Sequence, residues 1–213
     1  MYKYFLFFLL FLGQQLAAQR LSQNTVFEAG VYRQWEDFKA NQPAFPLPDT
    51  SSWAKSLSPD GNLLLLSEAS WELLDAQGEI WGIAYRNQPY IRVEQPKGPP
   101  YLVHLHVVGK ISYYYYRYFK EHELPMTIYD PFSGQAVGQK TIINKEPSSK
   151  ERILQFETGE QTDFNYENLR AWIKDDPGLL QSLEALKAEE YEDKLFKILL
   201  IYNDRKAVYI QQD

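Results

Sequence analysis

The sequence predicts an α+β fold: an antiparallel, barrel-like curved sheet followed by C-terminal helices. Three observations carry that prediction. Short apolar runs separated by turn residues fill positions 63–119, as in "NLLLLS", "EIWGIAY", "YIRVE" and "ISYYYYRYF". Further on, the apolar period lengthens to that of a helix, with Leu169, Trp172 and Ile173 on one stripe and Leu179, Leu183 and Leu186 on the next. The two kinds of segment are segregated along the chain, which argues against an alternating parallel α/β sheet. No internal repeat is strong enough for a propeller or a solenoid.

The chain begins "MYKYFLFFLLFLGQQLAAQ", with Lys3 ahead of an apolar run from Tyr4 to Leu12. That run is too short to span a bilayer. Ala17 and Ala18 suit a signal-peptidase cut before Gln19, so 1–18 reads as a secretory signal peptide and 19–213 as a single domain. The expected location is therefore outside the cytoplasm, periplasmic or secreted, with the protein soluble after cleavage. Val31–Tyr32 starts a strand, and "QWEDFKANQ" reads as a helix with Trp35 and Phe38 on one face. Residues 43–60 contain four prolines and read as an extended loop.

"NLLLLS" is a short strand, "WELL" and "EIWGIAY" form a hairpin around "DAQG", and "RNQP" turns the chain into "YIRVE". After the loop "QPKGPP" come "YLVHLHVV" and "ISYYYYRYF", joined by Gly109–Lys110. Gly-X suits a two-residue hairpin turn. That turn sets Val108 opposite Ile111, His106 opposite Tyr113, His104 opposite Tyr115 and Leu102 opposite Arg117. Tyr113 and Tyr115 then share a wetter face with the histidines and Arg117, while Tyr114 and Tyr116 share a core face with Val103, Leu105 and Val107. A bulge at Gly109 in one long bent strand is the competing geometry. Two short strands are expected around "DPFSG", a polar loop at "NKEPSSKE", and the last strand of the sheet at "RILQFET". "FNYENLRAWIKDDP" is helical, Asp176–Pro177 caps and starts a further helix, and "EEYEDKLFKILLIYN" extends or repeats it. "KAVYI" reads as a final short strand.

The chain has no cysteine, which excludes disulfides, thiol catalysis, thiolate metal sites and a lipoprotein anchor. Its formal charge is −6 with no basic block, so nucleic acid is not an expected partner. No later stretch is apolar enough for a membrane span. The 16 tyrosines are amphipathic and serve a wet sheet face, a carbohydrate platform or a protein interface.

Three stretches, "AGVYRQWEDFKANQP", "IWGIAYRNQPYIRV" and "NLRAWIKDDPGLLQSLEALKAEEYEDKLFKILLIYN", together resemble uncharacterised exported proteins of Bacteroidetes. The resemblance implies export and an α+β domain. It implies no activity, substrate or site residue.

His104 and His106 project from one strand face, so both imidazoles are candidate ligands of one metal. With Gly98 the spacing resembles the opening of a cupin motif, but Lys110 and Ile111 stand where that motif needs glutamate. A third ligand would have to come from Glu121, His122 or Glu123, and His122 lies beyond the Arg117–Leu102 pair, too far along the strand to reach the two histidines without a fold-back. No serine occupies a nucleophile elbow, and no glycine-rich loop leads into a helix. Asp130 and Asp163 read as turn and cap residues. Tyr113, Tyr115, Arg117 and His106 form a candidate sugar-stacking platform, set against plain cross-strand packing. The leading expectation is thus a non-catalytic binding or interaction domain with no cofactor, its partner an envelope protein or glycan. A glycan-binding module and a metal-dependent enzyme built on His104 and His106 are the alternatives.

Overall fold

The computed structural model describes residues 17–22, 24–47, 55–95 and 98–212. Most of the expected signal peptide, residues 1–16, lies outside the described residues, as do residues 48–54 of the expected proline-rich loop. The fold is α+β, with antiparallel sheets and helices gathered at the C-terminal end.

Near the start, β1 (Ala17–Arg20) pairs with β11 (Tyr209–Gln212), the strand expected at "KAVYI". The main sheet contains β2 (Gly30–Tyr32), β3 (Lys55–Leu57), β4 (Leu63–Leu66), β5 (Gly82–Tyr85), β6 (Gln88–Val93) and β7 (Tyr101–His104). They lie in the order β2-β5-β6-β7-β4-β3 and curl into a half-barrel. β3 falls within the segment expected to be loop. At "RNQP" the turn is as expected: Arg86 (φ 52°) and Asn87 (φ 63°) are both left-handed, which a two-residue type I′ hairpin requires. The helix at Trp35–Lys39, α1, also forms where predicted, with Trp35 and Phe38 buried.

Other local readings are corrected as well. "WELL" is not a strand but part of α2 (Glu68–Asp75). Ser67 caps it, its hydroxyl accepting the Ser70 N–H at 3.2 Å, and the buried Trp71 and Leu74 lie three apart, the helical spacing. The Gly109–Lys110 hairpin does not form either, because both edges of β7 are already taken. Val103 pairs with Leu63 of β4 on one side and with Ile91 of β6 on the other. Only one bridge, Val107 to Tyr113, links the two segments, one residue out of the expected register.

The partner of "ISYYYYRYF" is instead "KERILQ". β8 (Ile111–Tyr129) and β9 (Ala136–Gln155) run antiparallel from Ile111 opposite Gln155 to Ile128 opposite Gly138, and the short β10 (Gln161–Asp163) pairs with the other edge of β9 at the base, with Asp163 opposite Arg152. "NKEPSSKE" therefore lies inside a strand, despite Pro147. The Tyr113 N–H donates to Val107 O at 2.9 Å, on the side away from β9. Odd-numbered residues thus direct their N–H groups outward, and Pro125 and Pro147 both occupy odd pairs. Neither proline costs the ladder a donor.

The base of this hairpin is buried on both faces. Even residues Tyr114 and Leu154 join the core formed with Phe27, Tyr32, Phe38, Ile91 and Val103. Odd residues Ile111, Tyr113 and Ile153 meet α3 (Tyr166–Trp172), α4 (Pro177–Glu184) and α5 (Tyr191–Arg205) through Leu169, Leu179, Leu183 and Leu199. A third core lies on the other face of the main sheet, under α2. Asp176 caps α4 as predicted, accepting the Leu179 N–H at 3.0 Å.

Candidate functional site

The tyrosine run 113–116 does not divide into a wet and a dry face. Tyr113 is 8% exposed under the C-terminal helices and Tyr114 2% exposed against the main sheet. Tyr115 and Tyr116 are both half-buried. Burial falls with distance from the hairpin base rather than alternating, because both faces of the base are covered.

Where β8 and β9 leave the body, their even face and the ends of β6 and β7 enclose a cleft of about 1000 Å³. Tyr114, Tyr116 and Tyr118 line one wall from β8, Lys150 and Arg152 join them from β9, and Arg92 and Tyr101 stand across from them. Even parity on a continuous ladder puts these side chains together. The Tyr114 hydroxyl donates to Gln161 Oε1 at 2.6 Å. Burial pushes its pKa up to about 12 against the opposing pull of Arg152, so it remains a neutral donor. Lys150 and Arg152 both pair with Asp163, at 3.3 and 3.2 Å. Arg92 pairs with Asp75 and Glu94. The Arg152 Nε is buried with no hydrogen-bond partner. Five lysines and arginines and two glutamates line the cleft, and Asp75 and Asp163 pair with three of the cations from beside it, so its charges are close to balanced. Its chemistry is that of a seat for an aromatic or flat polar group that stacks on the tyrosines and hydrogen-bonds to their charged neighbours.

The residues singled out from sequence lie elsewhere. His106 stacks on Tyr115 at 4.7 Å between ring centroids, and His104 meets His106 edge-on at 4.9 Å. Asn62 ties the group together: its Oδ1 lies 2.6 Å from His106 Nε2, and its Nδ2 donates to Tyr115 O at 2.8 Å. Burial, reinforced by the neighbouring His106, lowers the His104 pKa to about 4, and burial also lowers that of His106. Both histidines line a smaller cavity of about 230 Å³ beside Phe27 and Pro89. Among the described residues no group of three or more His, Asp or Glu side chains is placed to hold a metal ion. Glu121 and His122 are on the projecting hairpin, paired with Lys145 and Glu146. Tyr113 turns toward Phe164 and Phe196, and Arg117 is exposed. Asp130 caps the tip turn as expected, accepting the N–H groups of Phe132 and Ser133.

Sequence reasoning missed the cations of the cleft. Lys150 and Arg152 stand in a segment whose first half has the composition of a loop, and only the β8–β9 register brings them beside the tyrosines. Compared with known proteins, the chain matches no family model, and no curated protein or solved structure is significantly similar to it.

Proposed function

We propose that this chain is a non-catalytic interaction domain, exported as its N-terminal pattern implies, whose body presents the β8–β9 arm to a partner. One observation carries this reading. Of the fifteen large hydrophobic side chains exposed among the described residues, nine lie on the arm between Phe119 and Ile143. Phe132 at the tip is 98% exposed. An isolated two-stranded ribbon is marginal in water, and soluble surfaces rarely concentrate apolar side chains in this way without a partner.

The test is to shorten the arm. Residues 121–145 are replaced by Asn-Gly, a two-residue turn that can follow the Lys120–Glu146 pair. The expected result is a body that unfolds within about 2–4 °C of the intact protein, a shift of roughly 1 kcal/mol. Concentration-dependent association and cross-linking to envelope partners should disappear. A shortened chain that fails to fold would make the arm structural, and unchanged association would place the interaction surface elsewhere.

A second reading, a glycan-binding module, is favoured by the cleft, where the half-buried rings of Tyr116 and Tyr118 stand beside cations. Flat rings cover the apolar faces of sugars while charged neighbours fix orientation.

A further inference from the structure

The exposed apolar side chains of the arm's strands divide evenly between its faces but are arranged differently. At even positions Leu124 stands opposite Ile142 with Met126 and Ile128 next along the strand, one continuous patch, and Lys120, His122, Asn144 and Glu146 lie between it and the tyrosines of the cleft; at odd positions Phe119, Tyr129, Val137 and Ile143 are spread along the arm. Its open edges are poor templates for strand addition, because Pro125 and Pro147 each remove an outward donor. The even face is thus suited to packing by its surface rather than by its edge.

We propose that the occupant of this face is the arm of a second copy of the chain, packed antiparallel across a two-fold axis near Leu124 and Ile142. This inference rests on the reading of the arm as the interaction element. In that arrangement the tip of each copy meets the cleft of the other. The charges support the pairing. Asp130 is the one charged residue in the tip segment 129–136, and the backbone N–H groups and hydroxyl of Ser133 and the N–H of Phe132 hold its carboxylate ionised. The antiparallel overlap sets it against Lys120 of the cleft, where Lys150 and Arg152 already share Asp163, and it points the exposed Phe132 ring at Tyr116 and Tyr118. The area also fits. A face of ten residue pairs is about 33 Å long and roughly 10 Å wide. With one tip phenylalanine and one cleft added per copy, at about 150–250 Å² for a buried ring, each copy approaches the about 800 Å² of a specific interface. The contact is self-complementary, so it closes as a dimer.

Neighbouring residues on opposite faces give the test. Sedimentation equilibrium of the full chain should show a monomer–dimer equilibrium. Ile142→Glu places a charge in the interface and should weaken it about 100-fold. Ile143→Glu, one position along on the other face, should leave it within about threefold. Circular dichroism checks that both variants fold, as expected for side chains 36% and 56% exposed. The chain has no cysteine, so single spin labels report cleanly. A label at Leu124→Cys should find its mate within about 20 Å, and one at Phe132→Cys at roughly 50 Å, given eight residues on either side of the axis. Short distances at both positions would overturn the antiparallel arrangement, and equal loss from both isoleucine variants would overturn the choice of face. A chain still monomeric at about 1 mM overturns self-pairing alone, since arm-dependent cross-linking to other envelope partners would survive it. A dimer that persists after arm shortening overturns both readings.

Discussion

His104 and His106 are held neutral by burial, and that makes their contribution measurable. The folded pKa of His104 is lowered to about 4 from the ordinary 6.5. Between those values the unfolded chain binds a proton that the folded chain does not. Stability from this residue is therefore fully present above pH 6.5 and is lost as pH falls toward 4. His106 shifts in the same direction. With allowance for partial exposure of the ring, the loss is on the order of 2 kcal/mol. Urea unfolding of the parent and of His104→Gln at pH 7 and pH 4.5 measures it. The variant should have the shallower pH dependence, and parallel slopes would show that the ring titrates freely. The two imidazoles are legible in the sequence as a pair on one strand. Their partner Asn62 is not, because it arrives from a β-turn 42 residues upstream of His104.

Elements built from local signals are legible in the sequence, and those built from distant pairing are not. α4 is written in the dipeptide Asp176–Pro177, and the Arg86–Asn87 turn in four consecutive residues. The arm depends on matching residues up to 44 positions apart, and a mid-strand proline hides it. Gly109 shows the same limit. Its sequence context suggests a tight hairpin turn, whereas its small size serves a contact with α5. Asn203 accepts the Ile111 N–H at 2.9 Å and donates to Ile111 O at 2.7 Å. A Cβ at Gly109 would stand 2.6 Å from Asn203 Cγ. Gly109→Ala should thus cost about 1–3 kcal/mol through that overlap, and Asn203→Ala a similar amount through the two lost backbone bonds. Removing Asn203 also removes the obstacle, so the double variant should be more stable than the sum of the singles by about 1–2 kcal/mol. Strict additivity in the denaturation midpoints would mean that the glycine is needed for its backbone instead.

At the scale of the whole molecule, the predicted export cut and the observed fold meet in one strand. β1 joins β11 through four pairs, and a cut before Gln19 keeps two of them, Gln19 with Ile210 and Arg20 with Tyr209. The stronger contacts lie on the C-terminal side of that cut. The Leu21 N–H donates to Val208 O at 2.8 Å, its side chain is 4% exposed in the main core, and Arg20 pairs with Asp204 on α5 at 3.0 Å. The pairs lost with the signal peptide involve only Ala17 and Ala18, and alanine has little apolar surface to bury. A chain begun at Gln19 should therefore unfold in one transition within about 2–4 °C of a chain begun at Ala17, a difference of roughly 1 kcal/mol. A chain begun at Ser22 loses the ladder and a buried leucine worth about 1.5–3 kcal/mol. Its midpoint should fall by about 5–15 °C in differential scanning calorimetry. If the Gln19 chain falls as far as the Ser22 chain, Ala17 and Ala18 belong to the folded domain, and the cut cannot lie where the alanines suggest. If all three melt alike, the β1–β11 pairing carries no stability.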